Sequence, residues 1–506
     1  MTEPRDPLSE WQALDALAED AARPEAVAAR RGKGFRTARE NLAALVDEGS
    51  FVEYGRAAVA AQRARRPLEA LRGETPADGV ITGLATINAG TFGAEAAGAA
   101  VAINDYSVLA GTQGYFHHAK IDRLLAVAGK RSLPVVMFTE GGGGRPGDVD
   151  VTTVIAGLMV PTFATWAGLA GRVPRLAVAN GYCFAGNAAL FGSADLTIAT
   201  ERSFLGMGGP AMIEGGGLGT FAPTEIGPAP ELAAKGAIDL LVADEEQAAA
   251  CARDLLSFFQ GRAKAWTHDD QAPLRRALPE DRRFSYHGRP ILERVVDTGS
   301  FVELRRAFGP SVITALARIE GRPVGVLAND VRALGGAIDA AAADKATRFL
   351  ELLDAFAIPL VSFVDTPGFM VGPASEAEGA VRRMGQLFVA GARFQPPMVC
   401  VVMRKAYGLG AMAMAGGSLH RPDLTVAWPQ AELGAMGLEG AVRLGFKREL
   451  AAAAEGPERD ALFAELVGQM VERGKAVEAA AFLELDAVID PARTREVVAR
   501  VLATAG

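Results

Sequence analysis

Two short turns built from small residues carry the most chemical promise in this chain: Cys183-Phe-Ala-Gly-Asn187 and Ala406-Tyr-Gly-Leu-Gly410. Small residues let a substrate approach the backbone closely. Each turn follows a short apolar run and leads into an expected helix. The first N–H groups of a helix lack intrahelical acceptors and stand at the positive end of its dipole. Two such groups aimed at one oxygen make an oxyanion hole. Close helix–strand packing also calls for glycine, and it explains one such turn by itself. The same device at matching places in two halves of the chain favours the chemical reading. Glu140 and Asp365 are the other candidates. Each ends an apolar run just before a turn, at 141–144 and 366–369, where open α/β sheets place their sites. A carboxylate there also caps the next helix or ties down the turn, and that role is preferred to catalysis proper.

Other chemistries lack their residues. Five His stand in the chain, His117, His118, His268, His287 and His420, and none forms H-E-x-x-H or another spaced ligand set. His117 and His118 have no acid partner at a readable spacing and are expected to be surface or packing residues. There is no G-x-S-x-G elbow. Gly141-Gly-Gly-Gly-Arg-Pro-Gly-Asp148 lacks the G-K-[ST] of a phosphate loop. Gly408-Leu-Gly410 does not complete a dinucleotide fingerprint. Ala411-Met-Ala-Met414 has no Lys to carry biotin. Cys183, Cys251 and Cys400 lie far apart, which speaks against a disulfide framework or a cysteine zinc site and for a reducing cytoplasm.

Composition narrows the class further. Fifty-two Lys and Arg against 60 Asp and Glu give a net charge of −8, and no dense basic run suggests nucleic acid. The N-terminus lacks the apolar stretch of a signal peptide. Residues 151–171 carry no charge over about the length of a membrane span. That stretch holds Thr152, Thr153, Thr162 and Thr165 with Pro161 in its middle, and the uncharged 176–194 holds Asn180, Gly181, Gly186, Asn187 and Gly192. Both are read as buried helices and strands, not as spans.

The elements that must position the turns occur twice. Residues 47–53 read D-E-G-S-F-V-E and residues 297–303 read D-T-G-S-F-V-E. Each follows an amphipathic helical segment, marked by Leu42, Leu45 and Val46 and by Ile291, Val295 and Val296. The run 133–140 has its echo at 358–365, and 174–179 has its echo at 397–403. Ile121, Leu124, Leu125 and Ala128 make a helical face before the first of these strands, as do Phe349, Leu353 and Phe356 before its echo. Val381, Met384, Leu387, Phe388, Gly391 and Phe394 mark a further helix. Short apolar strands separated by helices imply buried, largely parallel strands. A period this long means two homologous α/β domains, not a solenoid. The boundary is expected in the polar stretch 261–289, giving domains over 1–265 and 266–506.

With these motifs in view, the chain resembles the carboxyltransferase (beta) subunits of biotin-dependent acyl-CoA carboxylases, the propionyl-, methylcrotonyl- and acetyl-CoA enzymes. The resemblance runs from about Arg39 to Val501. It rests on D-E-G-S-F-V-E at 47, V-D-T-P-G-F at 364, R-K-A-Y-G at 404 and A-W-P-Q-A-E-L-G-A-M-G at 427. It implies a tandem duplicated crotonase-like (ClpP/crotonase) fold, with the N-terminal domain on the acyl-CoA side and the C-terminal domain on the biotin side. It further implies an obligate homo-oligomer of head-to-tail dimers, possibly a hexamer, with the site between the N-terminal half of one subunit and the C-terminal half of another.

By the same resemblance, carboxybiotin on a separate carrier supplies CO2, and the enolate of the acyl-CoA takes it up with backbone oxyanion holes in support. The holes fall at Ala185 and Gly186 and at Leu409 and Gly410; Gly142, Gly143, Phe369, Tyr407, Gly408 and Met412 line the substrate. The family's A-G-G is Phe184-Ala-Gly186 here, and its Y-G-G-A is Tyr407-Gly-Leu-Gly410. Neither change introduces Pro, so the backbone donors survive. Met412 replaces what is often a polar patch in the acyl pocket and favours an apolar acyl tail. No four-cysteine zinc ribbon is present, and no bound metal is expected. A biotin carboxylase and a biotin carboxyl carrier protein are the implied partners, in the cytoplasm, in fatty acid metabolism. The rival readings are a biotin-dependent acyl-CoA decarboxylase subunit, a biotin-independent crotonase-like hydratase or isomerase using Glu140 or Asp365, and a non-catalytic assembly subunit.

Overall fold

A computed structural model describes residues 6–151 and 157–504. The N-terminal residues read for a signal peptide lie partly outside these, as do Thr152 and Thr153. The chain divides into two compact units, Met1–Gly261 and Arg262–Gly506.

In the first unit, β1 (Val52–Tyr54), β2 (Val80–Thr86) and β3 (Gly98–Asn104) pair antiparallel in order. The sheet then continues in parallel through β4 (Val135–Phe138), β5 (Arg175–Ala179), β7 (Leu196–Thr200) and β9 (Leu240–Val242). The short strands β6 (Tyr182–Phe184) and β8 (Phe204–Gly206) form a separate parallel pair. The parallel strands β4, β5 and β7 are buried along their whole length, as their near-continuous apolar runs require.

The second unit repeats the plan. Here β10 (Val302–Leu304), β11 (Val312–Ile319) and β12 (Arg322–Asn329) are antiparallel. The parallel part runs through β13 (Leu360–Thr366), β14 (Met398–Tyr407), β15 (Leu424–Ala427) and β17 (Ala487–Val488), with β16 (Glu432–Gly434) paired to the far end of β14.

The helical faces read from the sequence pack as cores. Ile121, Leu124, Leu125 and Ala128, on helix Tyr115–Arg131, are fully buried. On helix Ala380–Arg393 the buried face is Ala380, Met384, Leu387, Ala390 and Gly391. Val381, expected on that face, is 80% exposed. Ala380 takes the inward place in the first turn, and one residue on is rotated about 100° away. Among the described residues no helix is long and apolar enough to cross a membrane. The uncharged 176–194 stretch holds β5, β6 and helix Gly186–Gly192.

The duplicated D-x-G-S-F-V-E segment is a fastening for the fold. Ser50 and Ser300 hydroxyls donate to the carbonyls of Asp47 and Asp297, at 2.6 and 2.7 Å, and close the turn. Glu53 accepts both arms of Arg39, and Glu303 both bonds of Arg289, from the first turns of helices Ala38–Leu45 and Arg289–Val295. Each bidentate pair ties a helix start to the edge strand that follows it. A second duplicated device lies beneath. Lys120 donates to the carbonyls of Ala77 (2.7 Å) and Val80, and Lys345 donates to the carbonyl of Val312 (2.7 Å). Val80 and Val312 open β2 and β11, so each buried ammonium anchors the start of a central strand.

Candidate active site

In the first unit the chain leaves β4 through Thr139 and Glu140 into four glycines. Backbone bonds fix this loop from three sides. Gly141 N–H donates to Tyr182 O (2.6 Å), Phe184 N–H to Gly141 O (2.9 Å), Gly142 N–H to Ala110 O (2.9 Å), and Gln113 N–H to Gly143 O (2.7 Å). No hydrogen-bond acceptor among the described residues takes the N–H of Gly143 or Gly144. Gly143 has φ 98°, and a Cβ there would stand 2.9 Å from the Cβ of Ala185. The glycine loop and the turn after β6 therefore meet backbone to backbone.

That turn is strained. Ala185 holds φ 51° and ψ −120°, a combination that L-residues avoid. Gly186 then opens the helix, and its N–H has no intrahelical acceptor. Ala185 and Gly186 were expected to donate together. Ala185 N–H instead donates to Gly206 O at 2.9 Å, because the β6–β8 pairing runs on by one residue. The open donors on this turn, among the described residues, are the N–H groups of Gly186 and Asn187.

Glu140 lies below the loop and is 2% exposed. Arg30 donates to it through two nitrogens, at 2.8 and 2.5 Å, and Asn180 adds a bond at 3.2 Å. Asn180 also bonds Glu245 at 2.7 Å, which takes Arg36 N–H at 2.5 Å and Asn41 at 2.9 Å. Burial pushes the Glu140 carboxyl up, to about 7, and the Arg30 guanidinium works against that. Every strong contact of Glu140 is structural, so it ties down the turn.

The second unit matches this part for part. Asp365, at the end of β13, is fully buried and accepts from Arg404 Nε (2.9 Å), Tyr286 OH (2.8 Å) and Lys405 N–H (3.2 Å). Burial raises its carboxyl, and Arg404 opposes the rise. Gly368 (φ 120°) stands where Gly143 stands, and Ile338 N–H donates to its carbonyl at 3.0 Å. No acceptor among the described residues takes Phe369 N–H. Tyr407 pairs with Gly434 as Phe184 pairs with Gly206, and Gly408 at φ 53° takes the place of Ala185. Leu409 therefore corresponds to Gly186, and Gly410 to Asn187. A Cβ on Gly410 would lie 2.6 Å from the Gly368 backbone, so the helix start rests on the 368–369 peptide.

The remaining expected residues divide by exposure. Tyr407 is 3% exposed and turns its hydroxyl to Glu432 at 2.7 Å, which places it as a support of the turn. Leu409 is 61% and Met412 38% exposed. Met412 borders a cavity of about 400 Å³ lined also by Ala406, Gly408, Ala411, Leu433 and Phe482. His117 is fully buried, and burial holds its imidazole well below the usual histidine range. His118 shares a 2.9 Å hydrogen bond with Thr162, which donates to Asp122 at 2.5 Å. His118 thus has an acid within reach, against the expectation: Asp122 stands four residues on along helix Tyr115–Arg131, and the link runs through Thr162, 44 residues away in sequence. Sequence reading also missed Arg30, for which no local motif gives a signal.

The family model of the carboxyl transferase domain matches residues 29–505. The propionyl-CoA carboxylase beta chain of Saccharopolyspora erythraea is 32% identical over 94% of this chain and 89% of its own length. A single-chain, multi-domain long-chain acyl-CoA carboxylase has a TM-score of 0.93 and 52% identity, covering 98% of this chain. This chain spans about half, 49%, of that one. The hexameric transcarboxylase 12S, solved with methylmalonyl-CoA, has a TM-score of 0.83 and 30% identity over 98% of this chain and 94% of its own. The two sheets are thus a duplicated crotonase-like fold.

Proposed function

We propose, because this chain belongs to the carboxyl transferase family of biotin-dependent acyl-CoA carboxylases and is an enzyme of that class, that it carboxylates the α-carbon of an acyl-CoA with a long apolar tail. The observation that carries this reading is the matched pair of turns. Each sets open backbone N–H groups near a positive-φ glycine, and the carboxylate beside each loop, Glu140 or Asp365, is engaged by an arginine. The first unit is the acyl-CoA side. There Gly186 N–H and the N–H groups of Gly143 and Gly144 hold the thioester oxygen as it gains charge. Donors already in place cost no reorganisation at that moment.

The second unit is the biotin side. Its turn offers a cleft walled by backbone, where a Cβ on Gly408 would stand 2.8 Å from Ala435 O and one on Gly410 would strike Gly368. A flat ureido ring fits such a wall, and the N–H groups of Phe369, Leu409 and Gly410 would hold its oxygen. Carboxybiotin, borne on a separate carrier protein, supplies CO2 and then a base for the α-proton. Glu140 and Asp365 keep the two glycine turns in place through Arg30 and Arg404. Engaged in this way, neither is a free acid or base, which weakens the hydratase reading.

The likeness to a long-chain acyl-CoA carboxylase supports an apolar tail. A biotin carboxylase and a biotin carrier are the partners, a homo-oligomer the working form, and the cytoplasm the compartment. The test is decarboxylation of malonyl-CoA and 2-alkylmalonyl-CoAs of rising chain length, with and without free biotin. Biotin-stimulated CO2 release that grows with chain length is expected, and Gly186→Pro or Gly410→Pro should abolish it. No release in either condition, from folded protein that binds acyl-CoA, would reject the reading.

A further inference from the structure

The two units share one backbone bonding pattern around their glycine loops, and they differ in the side chain that bridges it. Gln113 N–H donates to Gly143 O at 2.7 Å, and Gln113 O accepts from Arg145 N–H at 3.0 Å. In the second unit, 225 residues on, Ile338 N–H donates to Gly368 O at 3.0 Å, and Ile338 O accepts from Met370 N–H at 2.9 Å. Gln113 bridges Gly144 as Ile338 bridges Phe369. The scaffold is therefore satisfied by an apolar residue at this place. In the first unit it carries a carboxamide.

The nitrogen of that carboxamide is left without a structural partner among the described residues. Gln113 is 4% exposed. Its Oε1 fills the space a Cβ on Gly186 would take, beside the ring of Phe163. Its Nε2 has no hydrogen-bond partner among the described residues. A buried amide donor left unpaired costs free energy, and proteins retain one where something else supplies the acceptor. The two ends of an amide are interchangeable by a flip, and the flipped amide sets its N–H, in place of the oxygen, against Gly186.

We propose that Gln113 is a catalytic residue of the acyl-CoA side, its carboxamide N–H giving a further hydrogen bond to the thioester oxygen beside Gly186. This rests on the carboxyltransferase reading, since it needs an acyl-CoA carbonyl in that turn. In decarboxylation of an alkylmalonyl-CoA the bond from Cα to the carboxylate breaks. CO2 leaves, the electron pair moves onto the thioester oxygen, and Cα then takes a proton from solvent. The amide bonds the carbonyl of the bound thioester and holds it more strongly as charge arrives, so its removal acts on turnover more than on binding.

The test compares wild type with Gln113→Leu, which installs an apolar residue of the kind the second unit tolerates. Biotin-stimulated decarboxylation of an alkylmalonyl-CoA should fall by about 10²–10³-fold in kcat with KM little changed. The infrared band of the bound 13C-labelled thioester carbonyl should move back toward its solution frequency. A variant kcat within about threefold of wild type, with an unshifted band, would overturn the proposal. If wild type itself shows no biotin-stimulated release, the carboxyltransferase reading fails. The carbonyl band of bound acyl-CoA then decides Gln113 alone: a shift lost in the variant supports it, and identical bands reject it.

Discussion

Ala185 holds φ 51° where its counterpart Gly408 holds φ 53°. The same backbone bend is built once with a Cβ and once without. A non-glycine residue in this region bears strain of about 1–3 kcal/mol, held in place by its surroundings. Here the surroundings are the bond from Ala185 N–H to Gly206 O and the contact with Gly143. Ala185→Gly should raise unfolding stability by about 1 kcal/mol, the relief exceeding the added freedom of the unfolded chain. Urea denaturation checks this, and a loss of stability would show that the Cβ packs more than it strains. The glycine content of the turn was legible in the sequence. That Ala185 has no free N–H was not, because Gly206 arrives through strand pairing.

At the scale of elements, buried charge anchors each unit at the same points. Arg30 with Glu140 and Arg404 with Asp365 brace the glycine loops. Lys120 and Lys345 brace the first long strand of each sheet. Burial is the main cause that pulls both ammonium groups down, to about 8, from an ordinary 10.5. Below pH 8 the folded chain must bury both charges and bears the full cost. From 8 to 10.5 the unfolded chain binds more protons, so stability rises with pH as that cost is relieved. Between pH 7.5 and 9.5 the gain should be on the order of 2 kcal/mol for each lysine. Lys120→Met and Lys345→Met should each flatten the rise, read by denaturation at the two pH values. An unchanged slope in both would place the origin elsewhere.

For the molecule as a whole, the carboxyltransferase reading entails a homo-oligomer. Sedimentation velocity should give a closed assembly, with six copies as in the transcarboxylase 12S hexamer. Specific biotin-stimulated decarboxylation should fall on dilution below the dissociation range, and a fully active monomer would reject the assembly. The sequence by itself determined the duplication, because D-x-G-S-F-V-E recurs and the apolar runs 133–140 and 174–179 have echoes at 358–365 and 397–403. It determined the buried strands and most helical faces, because periodicity is local. It located both glycine turns. The tertiary structure decided which donors in those turns are open, since that depends on Gly206 and Gly434 pairing from neighbouring strands. It decided that Arg30 meets Glu140 across 110 residues, and that Gln113 reaches Gly186 while Ile338 stands at the matching place. Hydrogen-bond partnership is set by register between distant segments, and no local pattern of residue types encodes it.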